Sequence, residues 1–170
     1  MRRSLIFSLV ALVLAIALQH SLAADPLPTK KVLTLDVAKK IAAAAETHAI
    51  ENKWNVCISI VDDGGNLIYL QRIDGTQVAS VAISQAKAET AAKFKRSTKV
   101  LEDAVMTKGR TVILALPGVV PVEGGLPIIA DGTFVGAIGV SGVTSEQDGQ
   151  IAQAGIDALP EILEGNKATK

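Results

Sequence analysis

Reactive and aromatic side chains are scarce in this sequence. Its 170 residues include one cysteine, one tryptophan, one tyrosine, three phenylalanines and two histidines. A lone cysteine, Cys57, cannot close an internal disulfide. It lies in WNVCISIVD, which reads as a buried strand, where a thiol acts as a small apolar side chain. Nothing in the flanking sequence supplies the electropositive setting that a reactive thiol needs. So few rings argue against a stacking platform for nucleic-acid bases. Lysine plus arginine equals aspartate plus glutamate, 17 each, so no basic excess draws a polyanion.

Only the beginning of the chain is strongly apolar. Arg2 and Arg3 precede SLIFSLVALVLAIAL, and HSLAAD follows with small residues at Ser21, Ala23 and Ala24. That order predicts a secretory signal peptide over residues 1–23, cleaved near Ala23. The run is short for the alternative, an uncleaved anchor, which takes about 20 apolar residues. No later segment is long enough to span, so no membrane association is expected after cleavage. The mature protein is expected to be periplasmic or extracellular. Losing both leader arginines and His20 leaves a slightly acidic chain with His48 as its sole histidine. Residues 24–33 read as a flexible, proline-bearing arm, 34–164 as one domain, and 165–170 as a loose tail.

Within the domain the patterning alternates between helix and strand. Thr34 can cap a helix on which Val37, Ile41, Ala44, Ala45 and His48 recur at helical spacing, and its alanines imply close packing on a flat partner. NVCISIVDDGGNLIYLQR is a β-hairpin around Asp62-Asp63-Gly64-Gly65-Asn66. Its acids lack the further oxygen ligands and closing glutamate of a calcium loop. Ser80 to Ser97 reads as a second helix, and Ser97 or Thr98 caps a short third through about Thr107. TVILALPGVVPVEGGLPIIADGTFVGAIGVS reads as strands, with Pro117, Pro121 and Pro127 confining part of it to loops and edges. Asp131-Gly132 is a second hairpin turn. Thr144 or Ser145 caps a last helix, with Thr144 and Gln147 at capping-box spacing, and Pro160 bends or ends it near Leu159. The order α-β-β-α-α-β-β-β-α predicts an α+β fold, an antiparallel sheet covered by helices.

The glycine-rich stretch from Gly124 to Asp148 invites a chemical reading. Gly139-Val140-Ser141-Gly142-Val143 approaches a nucleophile elbow, but Val143 replaces the last glycine and no histidine follows. Gly136, Gly139 and Gly142 lead into a helix start, where Gly142, Thr144 and Ser145 could meet an anion. Neither phosphate-binding fingerprint is present, and the same glycines would allow a helix to approach the sheet closely. Glu161 and Glu164 share a helix face as a two-oxygen metal candidate, short of a full coordination shell. His48 can ligate haem iron, as can Met106 or Tyr69, or it can be a packed core histidine. Arg72 and Lys87 can grip carboxylates, or form ordinary ion pairs such as one with Asp74. No acid, base and nucleophile can be grouped into a catalytic set, so no enzymatic activity is assigned.

Several segments together resemble a known family: RIDGT with VAISQAKAETAAKF, ISIVDDGGNLI, PVEGGLPIIADGTFVGAIGVSG and SEQDGQIAQAGIDAL. They are similar to the GlcG/HbpS-like proteins (DUF336, haem-degrading), which also include the C-terminal domain of some PduO proteins. The likeness covers about Leu33 to Leu159. Where the family reads S-G-G, this chain has Ser141-Gly142-Val143. The resemblance implies a sheet of about five antiparallel strands, assembly into a homo-oligomer, and haem or another tetrapyrrole as ligand, for carriage, sensing or slow breakdown. On that reading His48 is the axial ligand and Arg72 or Lys87 meets the propionates. The alternative is a non-enzymatic oligomeric accessory protein that binds a small anion or a protein partner.

Overall fold

The computed structural model describes residues 27–168, and the expected signal peptide lies outside them. Leu27–Lys30 have no regular structure. The described residues from Lys31 onward form one compact unit, and its elements follow from local chemistry. Thr34 Oγ1 accepts the Val37 N–H at 3.3 Å and opens α1, Leu35–Glu51. The buried stripe of α1 is Val37, Ala38, Ile41, Ala42, Ala45 and Ala49. It is rotated from the expected face, leaving Ala44 and His48 only partly buried.

Strands β1 (Cys57–Asp62) and β2 (Leu67–Arg72) form the first hairpin. Asp62 Oδ1 accepts the N–H groups of Gly64 and Asn66, each at 2.8 Å, and Gly65 takes φ +86° to close the turn. Helix α2 spans Ala79–Phe94 and stops at Lys95 in the left-handed region. Ser97 Oγ then accepts from Lys99 N–H at 3.1 Å and caps α3, Thr98–Met106.

The following stretch departs from expectation. Of the three strands expected there, only β3 (Gly125–Ala130) and β4 (Thr133–Ser141) form. TVILA is instead a 3-10 helix, Thr111–Ala115, with only Ile113 buried. Its β-branched residues favour strand, but Gly109 and Gly118, both at positive φ, bracket it within a short loop that has no strand to pair with. Asp131 and Gly132, at φ 47° and 72°, make the tight β3–β4 turn.

Helix α4 covers Ser145–Asp157, opened by a complete capping box between Thr144 and Gln147. The chain turns at Ala158 and continues as α5, Leu159–Ala168, into the stretch read as a tail. Pro160 sits in the first turn of α5, where its missing N–H costs no helical bond.

The sheet has four strands, not about five, in the order β2-β1-β4-β3, with every neighbouring pair antiparallel. The fold is α+β, with helices on both faces. Helix α2 lies on one face, over β1, β3 and β4, around Val61, Ala88, Ala91, Ala92 and Ala137. Helices α1 and α4 cover the other, where Ile41, Ile58, Ile60, Ile138 and Ile151 form the larger core.

Candidate functional site

Helix α2 meets the glycine stretch with almost no side chain between them. A Cβ on Gly139 would run into Ser84 O and Ala88 N of α2, and one on Gly125 into Lys87 O. The glycines therefore let the helix backbone rest on the sheet, the packing role foreseen for them. At so close an approach, the face that α2 turns to the sheet carries small hydroxyls as well as alanines. Ser59 and Ser84 share a hydrogen bond at 2.8 Å, Ser141 Oγ donates to Ser80 Oγ at 3.3 Å, and all four are buried.

Lys87 lies in this layer. Its Nζ donates to Asp148 Oδ2 of α4 at 2.7 Å, and both side chains are 2% exposed. Asp148 Oδ1 accepts the Val143 N–H at 3.2 Å. Burial pushes the Asp148 carboxyl above its usual range, while the Lys87 ammonium and the backbone donors pull it back. Gly124, at φ +124°, packs directly on the pair: a Cβ there would lie 2.9 Å from Lys87 Nζ. The pair thus ties α2 to the start of α4 behind Gly124.

In front of Gly124 a groove of about 630 Å³ opens between the end of α1, the start of α3 and the outer face of α4. His48, Lys99, Glu123 and Asp157 supply its charged or titratable groups, and Leu126 and Ala154 an apolar wall. The His48 ring packs edge-on against Trp54, centroids 6.1 Å apart. Lys99 is held in an acidic setting, with Asp103 at 2.6 Å, Glu102 at 3.7 Å and Glu123 at 3.8 Å. These carboxylates, Asp103 first, raise the Lys99 ammonium above its ordinary value. Burial pushes the Glu123 carboxyl up, partly offset by Lys99.

His48 and Gly124 therefore share one groove, but Arg72, Lys87, Gly142, Thr144 and Ser145 do not line it. Arg72 is exposed at the end of β2 and donates through Nε (3.1 Å) and Nη2 to the Thr76 carbonyl, not to Asp74. Lys87 is sealed behind Gly124. At the start of α4, Thr144 Oγ1 accepts from Gln147 N–H, and the N–H groups of Val143 and Thr144 go to Asp148 and Gln147. The helix start therefore spends these groups on its own side chains, and Glu146 and Asp148 bring negative charge to its first turn. Gly142 is fixed by close contact with Asn55 and Val56. Glu161 and Glu164 are exposed on α5, and among the described residues no group of three His, Cys, Asp or Glu is placed to hold a metal.

Cys57 is fully buried, and burial raises its thiol above the ordinary value. Met106 is exposed at the end of α3, and Tyr69 donates to Gln71 Oε1 at 2.9 Å; neither lines the groove. Lys99 and Glu123 escape the sequence reading. Lys99 shows only helical spacing to Glu102 and Asp103, and Glu123 comes from a loop more than twenty residues further on.

A family model described as "Haem degrading protein HbpS-like" matches residues 33–157. Protein GlcG of Escherichia coli strain K12 is 42% identical over 113 residues, covering 66% of this chain and 84% of GlcG. Among solved structures, HbpS of Streptomyces reticuli, as a double mutant, superposes with a TM-score of 0.72 at 32% identity, over 81% of this chain and 98% of that one. A structure described as a PduOC:heme complex superposes at 0.70 with 31% identity, over 75% and 95%.

Proposed function

The chain belongs to the HbpS-like family, and from that premise we propose that it is an exported haem- or tetrapyrrole-binding protein whose ligand enters the His48 groove. The observation that carries this reading is the neighbour described as a heme complex, similar over three quarters of this chain. The groove's volume lies within the ~300–1,000 Å³ of small-molecule sites. His48, half-buried at its edge, is the one described histidine and a suitable iron ligand. Lys99 takes the propionate role first given to Arg72 and Lys87, because it lines the groove and they do not. Leu126 and Ala154 meet the porphyrin face. Bound haem would supply a redox-active iron; the chain's own contribution is an apolar wall, a ligand and one cation.

Titration of the mature protein with haemin, followed by its absorption spectrum, tests the reading. A saturable complex is expected, and His48→Ala is expected to shift its Soret band. An unchanged spectrum would reject His48 as ligand, and no saturation would reject haem binding. The second reading, a homo-oligomeric accessory protein, draws on the exposed Met106, Val112 and Leu114 around the 3-10 helix.

A further inference from the structure

A cavity larger than the His48 groove lies elsewhere among the described residues. This half-open cavity of about 750 Å³ lies between the extended lead-in at Lys31–Thr34, the start of α1, the β3–β4 turn and α5. No lining residue is shared with the His48 groove. Val37 and His48 mark the two sites on α1, 11 residues apart, which is about 16 Å along a helix. The cavity floor is apolar: Val37, Val135 and Leu159 are buried, and Leu33 and Leu163 pack beside them. Its polar groups stand at the mouth. Lys31 pairs with Asp131 at 2.9 Å, and Lys40 with Asp36 at 2.9 Å and with Asn166 Oδ1 at 2.5 Å. Lys31, Asp36 and Asp131 are more than half exposed, and Lys40 is 45% exposed. Pairs of that kind contribute about 0–1 kcal/mol and exchange partners readily. The described lining includes no His, Cys, Met or Tyr, so it offers iron no side-chain ligand of the kinds that hold haem.

We propose that this cavity binds an amphipathic carboxylate, its apolar body on Val37, Val135, Leu159 and Leu163 and its carboxylate at Lys31 and Lys40. An apolar floor with a few polar groups at one end is the build of a small-molecule site. The two lysines set its polarity: each can leave a solvent-screened aspartate for a carboxylate partly shielded by the cavity wall, where a charge-assisted hydrogen bond is stronger.

The test uses the mature protein and the fluorescent apolar anion anilinonaphthalene sulfonate, displaced in turn by dodecanoate and by dodecanol. Saturable dye binding, with dodecanoate the better competitor, is expected. Leu163→Trp fills the cavity and is expected to weaken dodecanoate at least ~10-fold, a loss of about 1.4 kcal/mol, while the haemin titration stays as in wild type. Ala130→Phe, at the cavity's partly exposed strand end, serves as a second filling variant. Lys40→Gln is expected to weaken dodecanoate ~3-fold and to leave dodecanol unchanged. Absence of dodecanoate displacement, or full binding by either folded filling variant, overturns the site. Equal loss of dodecanoate and dodecanol in Lys40→Gln overturns the carboxylate assignment. Haemin binding is read separately throughout, so its failure leaves this test standing.

Discussion

Lys87 shows how far one side chain's role depends on its partner. Removing one member of a buried pair leaves the other charge unsolvated, at a cost of about 3–5 kcal/mol. Lys87→Met is therefore expected to lower stability by that amount in urea unfolding, and Lys87→Met with Asp148→Leu to recover most of it. If the single and double variants are equally unstable, packing outweighs charge at this position. Glu123 gives the pH dependence. Burial raises its folded pKa above the unfolded one, so proton binding favours the folded state. That contribution is fully present below the ordinary glutamate value and is lost as pH rises through the raised value. Glu123→Gln is thus expected to melt higher than wild type near neutral pH and to converge with it in acid. The same change removes a negative charge beside the groove and is expected to strengthen capture of dianionic haem. A melting difference that does not vary with pH would sink the assignment.

The helices and strands are where the sequence was most legible. Both hairpins could be read because Asp-Gly and Asp-Asp-Gly-Gly-Asn fix turn geometry within a few residues. The caps at Thr34, Ser97 and Thr144 are equally local. The extra strand was misread because TVILA has strand propensity but no pairing partner, and pairing is a property of the sheet. The break before α5 was legible in Pro160. The Lys87–Asp148 pair, 61 residues apart in sequence, and the joining of His48 with Lys99 and Glu123 were not, because the first forms only where α2 meets the start of α4, and the second only where the end of α1, the start of α3 and the loop before β3 converge. Two glycines of this fold predict opposite outcomes. Gly139→Ala drives a methyl into the backbone of α2 and is expected to cost at least ~1–3 kcal/mol, the range for overpacking. Gly165→Ala, inside α5 with open space around it, is expected to gain about 0.5–1 kcal/mol. Thermal melts of the two variants check both signs.

At the scale of the whole molecule, apolar residues left in solvent raise the question of self-association. Met106, Val112 and Leu114 are 79%, 67% and 60% exposed, in and around a loop that contributes only Ile113 to the interior. Light scattering of the mature protein is expected to give a multiple of the monomer mass, and Leu114→Glu to reduce it without changing the circular dichroism. A monomeric wild type would end the oligomer reading. The sheet itself ends in β2 on one side and β3 on the other. Pro127, in the middle of β3, has no amide hydrogen to offer an incoming strand. That border resists templating by another chain. Fibril-like strand addition during misfolding is thereby directed to the opposite border, where LIYLQR has no proline and the row of backbone groups is interrupted only by the bulge at Ile68.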